Sequence, residues 1–277
     1  MTAHKVWVNG ALVDASSPSI PATDHGFLLG DGVFDSFIAL NGSPIFFERH
    51  LRRLRHGIDR LGLSEVPSDS ELGIAITQLL DASQLVDARL RITITPGAGP
   101  SARVRGTAPV TVISATGLAS PPESVALCTV PWARNERSPL AGIKSTSWGD
   151  NAMILRTAVD VGFDNALLCD SRGRLSECTT SNVFAVFDQH VATPSLEAGC
   201  LPGIIREVLI EDGIAEEVDL FPTDLDRATE VFVTSSTTGA VPVRRIDDRT
   251  FPVPGPVTDR IRAHLRARQA HDSRSAR

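Results

Sequence analysis

Two domains of mixed α and β structure are what this sequence predicts: a small α+β domain over residues 1–116, a linker at 117–124, and a larger β-rich domain over 125–277. Three observations lead there. In the first third, stretches of helical period are followed by two runs of β-branched residues; two prolines and a glycine punctuate Gly117–Glu123; and the remainder alternates short apolar strands with helices, an α+β pattern grading into α/β. At 277 residues and 42% hydrophobic content, the chain is long enough to build two cores.

Val6-Trp7-Val8-Asn9-Gly10 reads as a strand and turn, and turns follow at Asp24-His25-Gly26 and Gly30-Asp31-Gly32. From Glu48 to Leu61, Leu51, Leu54, Ile58 and Leu61 recur at helical spacing, and a second helix is expected from Ser70 to Ala82. Ala88–Thr95 and Pro109–Ala115 read as adjacent strands of one sheet. Beyond the linker, strands are expected at Val125–Val130, Ala166–Cys169, Asn182–Phe187 and Glu230–Thr234, with helices near Ala152–Val161, Gly203–Glu211 and Val257–Arg268. The polar tail His271–Arg277 is expected to fray. No internal repeat or low-complexity tract interrupts this order.

A net charge of −6 opposes general polyanion binding, and no basic stripe carries interleaved aromatics, so nucleic acid is not an expected partner. No apolar stretch approaches the roughly 18 residues of a membrane helix, and Met1–Gly10 holds no signal-peptide core. The expected compartment is the cytoplasm. Cys128, Cys169, Cys178 and Cys200 form no CxxC pair, so they read as reduced, mostly buried thiols.

Several familiar motifs fail on their surroundings. Gly97-Ala98-Gly99-Pro100-Ser101-Ala102 matches a dinucleotide pattern, but Arg103-Val104-Arg105-Gly106 and Pro109 follow where the phosphate-binding helix should begin. Gly142-Ile143-Lys144-Ser145 lacks the glycine before lysine and the upstream glycine of a phosphate-binding loop. The histidines never take HExxH or HxH spacing, and no GxSxG elbow occurs, so no metal site and no serine nucleophile is expected.

Cation usage is more informative. The chain has 25 arginines and two lysines, Lys5 and Lys144. A guanidinium stays protonated, whereas a desolvated lysine amine becomes a nucleophile able to form a Schiff base. Lys144 ends the uncharged run Ser138-Pro139-Leu140-Ala141-Gly142-Ile143 and precedes Ser145-Thr146-Ser147-Trp148-Gly149-Asp150-Asn151, a loop leading to a helix. The plain alternative is a surface-loop lysine.

Downstream, Gly173-Arg174-Leu175-Ser176-Glu177-Cys178-Thr179-Thr180-Ser181-Asn182 places one isolated carboxylate, Glu177, before a strand. Gly199-Cys200-Leu201-Pro202-Gly203-Ile204-Ile205-Arg206 then enters a helix whose first amides are unpaired, and such starts favour an anion by about 0.3–1 kcal/mol through the dipole alone. Thr234-Ser235-Ser236-Thr237-Thr238-Gly239 offers further hydroxyls and amides. A reactive lysine, a carboxylate and two phosphate-type turns are what pyridoxal phosphate requires: an amine for the imine, an acid for the ring nitrogen, donors for the phosphate.

In order and wording these segments resemble the class IV (fold type IV) pyridoxal-phosphate enzymes, which include branched-chain aminotransferases, D-amino acid aminotransferases and aminodeoxychorismate lyase. The likeness runs from Val6 to about Val243. It implies the D-amino acid aminotransferase-like fold with the cofactor between the two domains, a homodimer with a loop reaching the partner's site, and a small amino acid-like substrate. It implies that Lys144 carries the Schiff base and shuttles the Cα proton, and that Glu177 keeps the ring nitrogen protonated. Arg53, in His50-Leu51-Arg52-Arg53-Leu54, matches the family's phosphate-binding arginine, with Arg52 as competitor. Gly203, Ile204 and Ile205 would add amides, Ser236 and Thr237 hydroxyl or amide donors, and Leu201 would pack on the ring. Thr238 and Gly239 match the turn that meets the substrate carboxylate.

Members share the first steps and then diverge. The length, the run Leu140-Ala141-Gly142-Ile143-Lys144 and the cysteine after Glu177 resemble the lyase, which releases pyruvate and p-aminobenzoate for folate synthesis. D-amino acid transaminases use a tyrosine after Gly-Asp-Gly and a loop arginine and histidine, where this chain has Phe34, Ser101 and Arg103 and no tyrosine at all. Arg103 is left as one substrate-binding cation, in its own site or across a dimer interface. The expected activities are therefore the lyase first, a D-amino acid or branched-chain transaminase second, and a non-catalytic cofactor carrier as a remote third.

Overall fold

In the computed structural model, which describes residues 5–17 and 20–275, contacts divide the chain into two units. One takes Met1–Ala119, Ile143–Trp148 and His271–Arg277; the other takes Ser120–Gly142 and Gly149–Ala270. The expected second domain, continuous over 125–277, therefore gives up two segments. Hydrogen bonding supplies the reason for the first segment and is given below with the site.

The first unit runs β1 (Lys5–Val8), β2 (Ala11–Asp14), α1 (His25–Leu29), β3 (Val33–Leu40), β4 (Ser43–Pro44), α2 (Phe47–Leu61), α3 (Asp69–Ser83), β5 (Ala88–Thr95) and β6 (Val110–Gly117). Among the described residues its strands form one sheet in the order β2-β1-β6-β5-β3-β4. The two β-branched runs are antiparallel neighbours, registered from Ala88↔Gly117 to Thr95↔Val110. Alternation decides which side chains meet the helices. Val33, Phe37 and Ala39 of β3 and Leu90, Ile92 and Ile94 of β5 join Leu51, Leu54 and Ile58 of α2 and Leu72, Ile76 and Leu79 of α3 in a core. Ser68 and Glu71 close a capping box at the start of α3, satisfying amides that the helix itself leaves open.

The second unit runs β7 (Val125–Thr129), α4 (Gly149–Asp160), β8 (Asn165–Cys169), β9 (Leu175–Cys178), β10 (Asn182–Phe187), β11 (His190–Pro194), α5 (Ile204–Glu211), β12 (Glu216–Val218), β13 (Glu230–Ser235), β14 (Gly239–Ile246) and β15 (Arg249–Thr250), with most of α6 (Pro256–Ser275). The sheet path is β12-β11-β10-β13-β14-β7-β8-β9, with β15 on β14. Near-continuous burial along β8, β9, β10 and β13 shows strands covered on both faces, as their unbroken apolar runs require.

The tail corrects an expectation. The helix continues to Ser275; Asp272 Oδ2 accepts from Phe46 N at 2.6 Å, and Ser273 is buried. Polarity alone suggested fraying because those contacts lie more than two hundred residues away in sequence. The last two residues of the expected tail fall outside the described residues.

Candidate functional site

In the first unit, the segment carrying Lys144 lies along β3. Phe34 N donates to Lys144 O at 2.9 Å, Thr146 N donates to Gly32 O at 2.9 Å, and Val33 bridges Ser145. Those bonds bring Ile143–Trp148 into this unit. Gly30 makes the approach possible: its φ is +67°, and a Cβ there would sit 2.7 Å from Ser147 Oγ. Ser147 Oγ in turn donates to Gly30 O at 2.9 Å. Lys144 itself is half-buried, with Nζ 4.7 Å from the centroid of the Phe34 ring.

Neighbouring residues of β3 serve opposite faces. Phe34 faces away from the helices, whereas Asp35, fully buried, points at α2 and meets His50 and Arg53, which share one helix face at i, i+3. Arg53 donates to Asp35 through Nε at 2.9 Å and a terminal nitrogen at 2.7 Å, and His50 Nδ1 lies 2.9 Å from the same carboxylate. Burial alone would raise the Asp35 carboxyl's pKa, but Arg53 and the hydrogen bonds hold it well below the usual carboxylate range. Burial pushes the His50 imidazole down against the pull of Asp35, so Arg53 is the operative counter-charge. Arg53 is thus the inward arginine, its competitor Arg52 being exposed, but part of its guanidinium already serves Asp35. Asp35 is a group whose role only the fold discloses. Arg103 sits on an exposed loop and forms no ion pair among the described residues.

In the second unit, β9 carries Glu177 and a tight turn returns the chain into β10, with Cys178 N donating to Ser181 O at 2.8 Å. Glu177 is not isolated, as the sequence suggested. Its Oε2 accepts from Leu201 N at 3.0 Å, and its Oε1 lies 3.2 Å from Arg134. Arg134 is fixed by its own amide on Cys169 O at 2.7 Å and by a bond to Asn151 Oδ1 at 3.1 Å. It went unnoticed because it lies far from Glu177 in sequence, just upstream of the uncharged run before Lys144. Burial pushes the neighbouring Cys178 thiol up to about 12, which makes it a packing group and not a nucleophile.

Asn182 organises the anion-type turns. Its Nδ2 donates to Leu201 O at 2.9 Å, and it pairs with Thr234 across β10 and β13. A Cβ at Gly203 would fall 2.0 Å from Asn182 Oδ1, so any larger residue at this helix start would displace the Asn182 side chain. Gly203 has no side chain to cap α5, leaving the first amides, at Ile204 and Ile205, without a side-chain acceptor. On the other flank, Ser235 Oγ lies 3.1 Å from Thr237 Oγ1 and 2.8 Å from Thr238 Oγ1 and accepts from Thr238 N at 3.2 Å. Ser235 is therefore the hub of the turn in which sequence reading favoured Ser236 and Thr237. Ser236, Thr237, Thr238 and Gly239 are half-buried, and Thr234 Oγ1 is buried with no partner among the described residues. The first unit holds a primary amine, and the second holds a fixed carboxylate, uncapped amides and clustered hydroxyls; these are the groups that a phosphorylated ring with an aldehyde calls for.

Comparisons with known proteins identify the family. A model of the class IV amino-transferases matches residues 32–246. A putative branched-chain-amino-acid aminotransferase of Methanocaldococcus jannaschii is 29% identical over 257 residues, 89% of each chain, and a D-alanine aminotransferase of Bacillus licheniformis is 28% identical over 94% of this chain and 95% of its own. A solved structure of a putative 4-amino-4-deoxychorismate lyase from Legionella pneumophila superposes with a TM-score of 0.86 at 26% identity, covering 92% of this chain and 97% of that one. The chain belongs to the class IV aminotransferase family, whose members are enzymes that use pyridoxal phosphate.

Proposed function

We propose that this enzyme is a 4-amino-4-deoxychorismate lyase, releasing pyruvate and p-aminobenzoate. Bound pyridoxal phosphate supplies an aldehyde for a primary amine and a ring that withdraws electrons from the carbon next to it. Lys144 provides the amine and afterwards accepts and returns a proton at Nζ. Glu177, oriented by Leu201 N and Arg134, keeps a proton on the ring nitrogen. The Ile204 and Ile205 amides behind Gly203, the Ser236 and Thr237 donors and Arg53 bind the phosphate, and Leu201 packs on the ring. Phe34, Thr238, Gly239 and Arg103 border the substrate.

What carries the lyase is the run Leu140–Lys144 with the cysteine after Glu177, while the Phe34 ring beside Lys144, which offers no hydroxyl in a chain without tyrosine, speaks against a D-amino acid transaminase. Transamination of D- or branched-chain amino acids is the second reading, favoured by the activities for which two relatives are named. A mere carrier has no use for Glu177, buried and held from two sides. Purified enzyme is given aminodeoxychorismate in one tube, and D-alanine or L-leucine with 2-oxoglutarate in others. Pyruvate with p-aminobenzoate in the first alone supports the lyase; keto acid in the others alone retires it.

We also propose a cytoplasmic homodimer. Phe27, Leu28 and Leu29 of α1 are 76%, 56% and 49% exposed, and Phe27 lines an apolar cavity of about 420 Å³ with Ile20, Val110 and Val112. Light scattering at twice the chain mass supports the dimer; a monomeric mass rejects it.

A further inference from the structure

Within the second unit, Glu177 is approached by Arg134, and what aims Arg134 is a side chain of α4. Asn151 stands on the first turn of that helix, three and seven residues before Ile154 and Ala158, which are buried with Cys128, Ala166 and Leu168. Those spacings put all three residues on one helix face, so packing carries Asn151 to a fixed place. Its amide is used from both ends. Nδ2 donates to Thr179 O at 2.6 Å, and Oδ1 accepts from Arg134 Nη1 at 3.1 Å.

The turn that anchors Asn151 does not depend on it. Thr179 N donates to Ala166 O at 3.2 Å and to Asn165 Oδ1 at 3.2 Å, the Thr179 hydroxyl donates to the same Asn165 oxygen, and Cys178 N donates to Ser181 O at 2.8 Å. The Arg134 side chain is in the opposite position. Its Nη2 lies 3.2 Å from Glu177 Oε1 without forming a hydrogen bond, and its Nε is buried with no partner among the described residues. The bond to Asn151 Oδ1 is the one hydrogen bond that its guanidinium makes among them. A guanidinium is planar and rigid, so fixing Nη1 sets where Nη2 points. A cation beside a carboxylate favours its charged form, and the charged form is the one that accepts from a ring N–H.

We infer that Asn151 is a positioning residue for the ring-nitrogen end of the cofactor site, acting on Glu177 through Arg134. An amide is what this place requires. A carboxylate would have no donor for Thr179 O and would compete with Glu177 for the guanidinium, and an alkyl side chain would leave Arg134 without its one fixed acceptor. The inference rests on the reading that Glu177 takes the ring nitrogen, and it holds for lyase and transaminase alike.

Pyridoxal phosphate and its 1-deaza analogue, in which a C–H replaces the ring nitrogen, are titrated calorimetrically into the cofactor-stripped full-length chain. The proteins compared are wild type, Asn151→Ala, Asn151→Asp, Arg134→Gln and the double variant Asn151→Ala with Arg134→Gln. The ratio of the two dissociation constants isolates the contact at the ring nitrogen, which a general loosening of the fold would not move. Wild type should prefer pyridoxal phosphate to the analogue. Asn151→Ala should lower that preference about 10-fold while binding the analogue as wild type does, and Asn151→Asp should lower it at least as far. In the Arg134→Gln background, Asn151→Ala should bring no further loss. A preference kept in either Asn151 variant, equal weakening of cofactor and analogue, or an added loss in the double variant overturns the proposal. A wild type that binds the two ligands equally overturns the reading of Glu177, and this proposal with it.

Discussion

Two carboxylate–arginine pairs, one in each unit, are built for different ends. Asp35 is fully buried and takes two nitrogens of Arg53 along with His50, so the chain has neutralised this charge within its own fold. Glu177 accepts from the Leu201 amide and lies 3.2 Å from Arg134, next to the half-buried turns that follow Leu201. A buried pair with every oxygen engaged is costly to break, because one partner's removal strands the other in low dielectric. A carboxylate aimed by a backbone amide and a neighbouring cation is oriented more than it is neutralised. The comparison teaches that Asp35 belongs to the architecture that fixes Arg53, and that Glu177 is the carboxylate which the proposed function assigns to the chemistry.

The largest effect should follow from breaking the first pair. Asp35→Ala should cost about 3–5 kcal/mol of folding stability in chemical denaturation, since Arg53 and His50 lose their acceptor. A loss below ~1 kcal/mol would erase the distinction between the pairs. Next comes Glu177→Gln, which should lower kcat by about 10²–10³-fold while leaving the unfolding midpoint near that of wild type. A drop in stability as large as that of Asp35→Ala would contradict the assignment.

Acid sharpens the contrast. His50, with its pKa lowered by burial, is neutral in the fold, so the unfolded chain takes up its proton first and stability falls as pH drops below about 6.5. Asp35 has a depressed pKa, so its contribution is present above the unfolded value near 3.9 and is lost as pH falls further. Each proton contributes a slope of at most about 1.4 kcal/mol per pH unit. Measured from pH 7 to 5, His50→Gln should flatten the decline; an unaltered slope would remove His50 from the account. The smallest expected effect is that of Ser235→Ala, about 1 kcal/mol in cofactor affinity or stability as the Thr237 and Thr238 hydroxyls lose their hub.

What sequence reading could and could not see follows from the range of each interaction. Helical period placed α2 and α3 within a residue or so of their ends, because Leu51, Leu54 and Ile58 announce a buried stripe locally. The Glu177 segment and the Leu201–Ile205 helix start were visible as motifs. The packing of Ile143–Trp148 on β3 was not, since no strand pattern marks it and its bonds to Gly32 and Phe34 span more than a hundred residues. Arg134 was hidden for a related reason. In a chain with 25 arginines, identity alone distinguishes none of them, and only placement shows which one faces Glu177.

The most direct test uses the scarcity of lysine. Lys5 pairs with Asp14 at 2.7 Å across β1 and β2 and serves as an internal control. Cofactor-loaded enzyme is reduced with borohydride, digested and mapped by mass spectrometry. The account predicts one pyridoxyl group, on the peptide holding Lys144, with Lys5 unmodified; label confined to Lys5, or none on either lysine, would contradict it.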